Sequence, residues 1–298
     1  MSQQRWERLG GGLRLVSACV LSAALLAGAS RASGKDDPAG EAPPPGPKVK
    51  VFIFAGQSNM VGRSDPNKLP AEYRQPLANV RLYANHTWRP LDRPSPGRGD
   101  GVGPEVSAAR LLAEALPGRK IVIVKTAVGG TNLHTQWDPK RKGSLYHRML
   151  KDVQTATAGQ DVEIEAFFWD QGGGDSKDEA PAKAYGKNLA AFIEQARKDL
   201  GRADLPFLFS MRMIDPSWPR SERYPFLAEV ALGKAEVAKT VPHTATVSTR
   251  DLTRKPDGHY DTGGTIEFGR RFFEAWKTNF HKPTAKTKEG GEASKAKP

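Results

Sequence analysis

Short apolar runs alternate with longer amphipathic stretches between residues 49 and 281 of this 298-residue chain. Runs rich in β-branched and aromatic residues predict strands, and they lie at 51–54, 80–83, 121–124, 164–169, 207–211 and 244–247. Several runs are apolar at every position, which is typical of parallel strands covered by helices on both faces. The alternation therefore predicts an α/β fold, a three-layer αβα sandwich around a mainly parallel central sheet.

Three of the amphipathic stretches carry clear helix signals. The first begins at Pro104-Glu105, because proline suits the first helical position and an acidic side chain suits the first turn. The other two have apolar residues at helical spacing, from 185 to 200 and from 266 to 280. All three apolar stripes are interpreted as core-facing.

The two ends of the chain differ in composition from the middle. Residues 1–29 combine three arginines, a short apolar run and the small-residue triplet Ala27-Gly28-Ala29, which predicts a signal peptide. The apolar run is shorter than the roughly 20 residues that span a bilayer, so no stable membrane span is expected after cleavage, and an uncleaved anchor is the alternative. Residues 30–48 predict a Pro/Gly-rich disordered linker, 49–281 the folded domain and 282–298 a disordered Lys-rich tail. We expect export to a periplasm or to the extracellular space.

Composition excludes several kinds of protein. The single cysteine, Cys19, lies inside the predicted signal peptide and rules out a disulfide framework, a Cys-His zinc site and a cysteine nucleophile. The formal net charge is +12, but five of the net charges lie in 1–29 and 282–298, and no basic run is interleaved with aromatic residues. A generally basic surface is therefore favoured over nucleic-acid binding. The sequence shows no metal-ligand cluster, P-loop or dinucleotide-binding motif, so no metal and no cofactor are implied.

Four segments that follow predicted strands carry residues suited to ester chemistry. Ser58 follows the first strand, where it is as well suited to cap a helix as to act as a nucleophile. The backbone N–H groups of glycines 129–130 and the side-chain amide of Gln171 are suitable donors to an oxyanion. His259 with Asp257 nearby suits a general base, although a lone histidine is more often structural.

Motifs in these segments resemble one enzyme family. The run VFIFAGQSNMVGR, residues 51–63, resembles the opening block of the sialate O-acetylesterase-like (SASA) and carbohydrate esterase family 6 branch of the SGNH hydrolases. Residues 102–105, 168–175 and 266–271 resemble later blocks, so the resemblance covers residues 50 to 276. It implies a flavodoxin-like SGNH fold and an exported serine esterase that removes O-acetyl groups from carbohydrate, of the sialic acid or xylan type.

The resemblance implies a role for each matching residue of the catalytic group. Ser58 is expected to be the nucleophile and His259 the general base. Asp257 is expected to orient the histidine, with Asp261 as the second candidate.

The same resemblance implies residues that hold the oxyanion and the sugar. The expected oxyanion donors are the backbone amides of Ser58 and Gly130 and the side chain of Gln171. Further residues of these blocks are expected to contact the substrate: Gln57, Asn59, Arg63, His134, Trp137 and Asp175.

The sequence departs from the family pattern at two places. Gly173 stands where the family has a glutamate, and Asp257 precedes His259 by two residues, one fewer than usual. These departures keep open a carbohydrate-binding pseudoenzyme of the same fold. A lipase or thioesterase of this fold is a further alternative, and the sequence does not indicate the oligomeric state.

Overall fold

Residues 48–84, 86–91, 101–212 and 222–281 are described by the structure, a computed structural model. The predicted signal peptide, most of the predicted linker and the predicted tail lie outside these ranges, and those boundaries stay predictions.

A seven-stranded sheet forms the middle layer of this part of the chain. Its strands are β1 (Val49–Gly56), β2 (Val80–Ala84), β3 (Thr87–Arg89), β4 (Ile121–Ala127), β5 (Val162–Asp170), β6 (Phe207–Met211) and β7 (Thr244–Ser248). The order across the sheet is β3-β2-β4-β1-β5-β6-β7, and only β3 pairs antiparallel, as a hairpin with β2. The six predicted strands and the mainly parallel sheet are confirmed, and β3 is the strand that the hydrophobic pattern missed.

Seven α-helices lie in the described residues: α1 (Ser58–Val61), α2 (Glu105–Ala115), α3 (Leu145–Thr157), α4 (Glu179–Lys183), α5 (Tyr185–Asp199), α6 (Leu227–Thr240) and α7 (Thr262–Asn279). The three predicted helices correspond to α2, α5 and α7. Helix α3 was not predicted, although its buried residues Tyr146, Met149, Val153 and Ala156 follow helical spacing.

Two apolar cores, one on each face of the sheet, establish the αβα sandwich. Phe167 and Trp169 of β5 join the core that contains buried residues of α3, α5 and α6. Phe168, between them, joins the core formed with α2 and α7. Because successive side chains of a strand point to opposite faces, one strand supplies both cores.

The register of the central strands brings three loops to one edge of the sheet. Gly56, the last residue of β1, pairs with Ala127 of β4 on one side and with Asp170 of β5 on the other. The residues that follow these three strands therefore emerge together at their carboxyl ends, where open α/β sheets bind ligands.

Candidate active site

Ser58 is carried by a tight turn between β1 and α1. Gly56 has a φ of +144°, and a Cβ at this position would collide with the backbone carbonyl of Asp170 on the neighbouring strand. The Gln57 N–H then donates to the same carbonyl at 2.8 Å. Only glycine combines this conformation with so close an approach, and the turn directs the chain so that Ser58 begins a helix at the edge of the sheet.

The glycines after β4 lie beside the nucleophile. A Cβ built on Gly129 would be 3.8 Å from the Cβ of Ser58, whereas one built on Gly130 would meet no atom within 4 Å. Gly130 is exposed and has a φ of +74°. Of these two glycines, Gly129 is thus the nearer to Ser58, and the assignment of the backbone oxyanion donor to Gly130 stays a prediction.

The side chain of Gln171 is buried and hydrogen-bonded at both ends. Its Nε2 donates to the Thr131 carbonyl at 2.8 Å and to Asp175 Oδ2 at 2.7 Å, and its Oε1 accepts from the Tyr185 hydroxyl at 3.0 Å. An amide nitrogen has only two hydrogens to donate. Gln171 therefore ties the β4 and β5 loops together, and its predicted donation to an oxyanion requires the loss of one of these bonds.

The predicted substrate contacts of Asp175, His134 and Trp137 stay predictions, and two of these side chains are buried. Asp175 is fully buried, and its carboxylate accepts the backbone N–H groups of Leu133 and His134 at 2.8 and 3.0 Å. Burial raises the pKa of this carboxyl, and the hydrogen bonds oppose the shift. Trp137 is fully buried in the core, edge-on to Trp169, while His134 is exposed. Asp175 and Trp137 support the loops from inside.

The shortened Asp-His spacing is accommodated by a tight turn. Asp257 Oδ1 accepts the backbone N–H of His259 at 3.0 Å, and Oδ2 lies 3.1 Å from Nδ1 of the same histidine. The angle at His259 Nδ1 is unfavourable for a hydrogen bond to Asp257 Oδ2, although the distance between these two atoms is that of an ion pair. Gly258 between them has a φ of +85°, which folds the carboxylate back onto the imidazole. A single intervening residue thus brings the acid to the base without the extra residue of the family pattern.

The electrostatics of this turn favour an ionised acid. The His259 backbone N–H, followed by the His259 ring, lowers the pKa of Asp257 to about 2. With Nδ1 of His259 facing the carboxylate, Nε2 is the ring nitrogen available to a hydroxyl.

Asn59 and Lys255 hold the His259 turn against the nucleophile loop. Asn59 Oδ1 accepts the backbone N–H of Tyr260 at 3.3 Å, and Lys255 Nζ donates to the carbonyl of Arg63 at 2.9 Å. Asn59, predicted to contact substrate, therefore fixes the loop that carries the base. Asp261, the second candidate acid, instead caps α7 by accepting the Gly264 N–H at 2.8 Å.

Replacement of Gly258 by alanine is expected to lower kcat by more than the accompanying loss of folded protein explains. A left-handed backbone costs an L-residue roughly 1–2 kcal/mol, and relaxation of that strain moves Asp257 away from His259. A misplacement of about 1 Å lowers catalysis on the order of 10²-fold. The measurement is kcat for p-nitrophenyl acetate together with the unfolding free energy.

Gly201→Ala is the matched control for that substitution. Gly201 has a φ of +67°, and an added Cβ meets no atom within 4 Å, as at Gly258. It lies after α5, outside the candidate site. Equal kcat values for the two variants would show that the Gly258 turn does not position the catalytic pair.

Gln57 occupies the space beside the missing family glutamate. A Cβ on Gly173 would lie 3.0 Å from Gln57 Nε2, so a longer side chain there would displace the amide. Arg63 reaches the other side of the nucleophile, where its guanidinium lies 3.0 Å from the Cβ position of Gly129. Both predicted substrate residues are thus adjacent to Ser58.

One cavity of about 160 Å³ contains the candidate catalytic residues. Ser58, His259 and Asp257 line it, although the serine and the histidine are separated by about 200 positions in the chain. It also contains residues that sequence reasoning missed: Asp170, Ser210, Arg212, Arg223, Lys234, Arg254 and Tyr260. Asp170 directly follows an apolar strand run and could have been noticed, whereas nothing in the sequence distinguishes Lys234 from the other lysines.

Other features of the described residues do not indicate a different active site. A larger groove, of about 820 Å³, lies between α5 and the end of α6, and neither serine nor histidine lines it. Within the described ranges, no cluster of three or more His, Cys, Asp or Glu side chains could hold a metal ion. No helix among those residues combines the length and the hydropathy that crossing a membrane requires.

Comparisons with known proteins identify the family of this chain. The family model for carbohydrate esterases, described as sialic acid-specific acetylesterase, matches residues 48–278. A probable carbohydrate esterase of Arabidopsis thaliana is 28% identical over 275 residues, which covers 86% of this chain and 100% of that protein.

Solved structures share the fold. An Arabidopsis thaliana protein superposes with a TM-score of 0.65 at 25% identity, covering 79% of this chain and 100% of the other. A carbohydrate acetylesterase of Xanthomonas citri superposes with a TM-score of 0.58 at 19% identity, covering 76% of this chain and 55% of the other. Because the family model spans most of the chain, this protein belongs to the carbohydrate esterase family of sialic acid-specific acetylesterases and is a carboxylic ester hydrolase.

Proposed function

We propose that the protein removes O-acetyl groups from carbohydrate through Ser58, His259 and Asp257. The observation that carries the proposal is the cavity that Ser58 shares with the paired His259 and Asp257. A nucleophile, a base and a group that orients the base are the parts that serine hydrolases require.

The proposed reaction has two stages. Ser58 Oγ attacks the ester carbonyl carbon while His259 Nε2 takes its proton, and the tetrahedral intermediate collapses as His259 returns the proton to the departing sugar oxygen. Water then attacks the acetyl-serine, again losing a proton to His259, and acetate leaves as Ser58 regains its hydrogen. The backbone amides of Ser58 and of the 129–130 glycines are the proposed donors to the oxyanion.

The size of the cavity favours a small acyl group. Its volume of about 160 Å³ is below the roughly 300–1,000 Å³ of pockets that enclose drug-sized ligands. A long acyl chain of the lipase type would have to lie outside it. An acetyl ester is therefore the proposed substrate group.

Charges in the cavity favour an acidic sugar. Arg212, Arg223, Lys234 and Arg254 outnumber the two lining carboxylates of Asp170 and Asp257. Burial, followed by the nearby Arg254 charge, lowers the pKa of the Arg212 guanidinium, as expected where cations face one another. Complementary charge promotes the encounter and the selection of a partner. We therefore propose a glycan with acidic residues, encountered after export directed by residues 1–29.

Acetate release from a panel of acetylated sialoglycan, pectin and xylan tests this proposal. The two acidic polymers are expected to give a several-fold higher kcat/KM than neutral xylan, and added salt should narrow the difference because it screens charges. Arg223→Gln should lower the rate on the acidic polymers selectively. Arg81→Gln is the control, since Arg81 lies over the Trp88 ring outside the cavity. Release from none of the three would contradict carbohydrate deacetylation.

A further inference from the structure

The cavity wall contains a carboxylate that the proposed chemistry does not use. Asp170, the last residue of β5, is only 7% exposed and lines the cavity beside Ser58. Its Oδ1 accepts the Ser210 hydroxyl at 2.5 Å, whereas its Oδ2 is buried without a hydrogen-bond partner. A buried charged acceptor without a hydrogen bond lowers the stability of the protein, so binding of a ligand that donates to this oxygen is favoured.

Lys234 supplies charge to this carboxylate without completing its hydrogen bonding. Lys234 Nζ donates to the Ser210 carbonyl at 2.8 Å. Burial raises the pKa of the Asp170 carboxyl, and the Lys234 charge opposes the shift and favours the ionised form. The positive charge of Lys234 therefore offsets the negative charge of the Asp170 carboxylate without a direct hydrogen bond. Oδ2 remains free to accept a hydrogen bond from a ligand.

The same cavity contains a second unpaired acceptor. Gln57 Oε1 is buried without a hydrogen-bond partner, and Gln57 lines the same cavity. The backbones of the two residues are joined by the bond from the Gln57 N–H to the Asp170 carbonyl. Two acceptors screened from bulk water match a ligand that brings its own hydrogens, which a sugar hydroxyl does.

We propose that Asp170 Oδ2 accepts the hydrogen of the free sugar hydroxyl next to the acetylated oxygen, and that Gln57 Oε1 accepts a hydrogen bond from a second hydroxyl of the same sugar. This inference rests on the proposed deacetylation of carbohydrate. It makes the enzyme selective for esters whose neighbouring hydroxyl is unmodified, because a substrate that lacks this group leaves the buried Asp170 Oδ2 unpaired.

The test compares matched substrates with the full chain. Methyl 2-O-acetyl-β-D-xylopyranoside and 9-O-acetyl-N-acetylneuraminic acid are each paired with the analogue that lacks the adjacent hydroxyl, at C3 and at C8. Wild-type kcat/KM is expected to favour the hydroxylated member by about 10- to 100-fold, the range for a hydrogen bond to a charged group. Equal values within the pairs that are hydrolysed would overturn the inference and leave deacetylation intact.

Variants test which residue causes the preference for the hydroxylated member of each substrate pair. Asp170→Asn should reduce the ratio between paired substrates, and the ratio is insensitive to a partial loss of folded enzyme. Asp152→Asn is the control, since Asp152 is an equally buried carboxylate that contacts His86 and Thr126 outside the cavity. Retention of the full ratio in Asp170→Asn would contradict the assignment. Hydrolysis of p-nitrophenyl acetate but of neither sugar acetate would instead refute the proposed function.

Discussion

Replacing Ser58 by alanine is expected to lower kcat for p-nitrophenyl acetate by at least about 10⁴-fold, as loss of the nucleophile does in serine hydrolases. The variant has no oxygen to form the acetyl-enzyme, while the cavity and the His259 turn remain. Its unfolding free energy should stay close to that of the wild type, because Ser58 is only partly buried and its side chain does not cap α1. Steady-state kinetics and denaturant unfolding measure the two quantities.

Ser144→Ala is the matched control for the nucleophile. Ser144 Oγ lies 3.0 Å from Nδ1 of His147, so this pair also joins a hydroxyl to an imidazole. The pair lies at the start of α3 and does not line the catalytic cavity. If Ser144→Ala lost activity and Ser58→Ala retained it, the nucleophile would be misassigned. Wild-type binding of acetylated glycan without turnover would favour the pseudoenzyme.

Replacing Asp257 by asparagine is expected to lower kcat by about 10⁴-fold, the effect of the same change in a serine protease. Asparagine keeps the size of the side chain but removes the charge that stabilises the protonated imidazole, and its NH₂ group can hold the ring in the wrong tautomer. Asp261→Asn is the comparison, since that carboxylate caps α7. Because asparagine caps a helix about as well as aspartate, this variant should keep nearly the wild-type stability and leave kcat within a few-fold. The reverse ranking would make Asp261 the acid.

The pH profile distinguishes the acid from the base. Because the pKa of Asp257 is lowered to about 2, this carboxylate stays ionised throughout the range in which activity is measured. The acidic limb of kcat/KM should therefore not arise from Asp257, and activity should fall with decreasing pH because a protonated imidazole cannot accept the Ser58 proton. A limb that disappears in Asp257→Asn but persists in His259→Ala would contradict these roles.

Local pattern was sufficient for six of the seven strands and for the order of the candidate catalytic residues along the chain. Apolar runs such as 121–124 and 207–211 mark buried strands whatever their partners, and Ser58 could be placed because it follows such a run. The sequence could not show how Asp257 reaches His259, because the answer depends on the backbone conformation of Gly258. Motif position therefore located the residues, and the turn explained their pairing.

The motifs did not predict the directions in which the side chains of the matched residues point. Gln171 and Asp175 lie in a matching block, yet the structure directs both towards the interior, where they bind each other. Trp137 follows a functional loop and packs in the core. Arg212 and Lys234 were missed for a different reason, since they reach the cavity from the residue after β6 and from α6 through tertiary packing alone. Local sequence spacing encodes neither the direction of a side chain nor the tertiary packing that brings distant residues into the cavity.

Covalent labelling with diisopropyl fluorophosphate tests directly whether Ser58 is an activated nucleophile. The serine oxygen displaces fluoride and keeps the phosphoryl group, so digestion after Lys50 and Arg63 releases a modified peptide VFIFAGQSNMVGR, in which Ser58 is the only hydroxyl residue. Mass spectrometry is expected to find the adduct on this peptide in the wild type and none in His259→Ala. An adduct elsewhere, or equal labelling without His259, would contradict the assignment of Ser58 and His259.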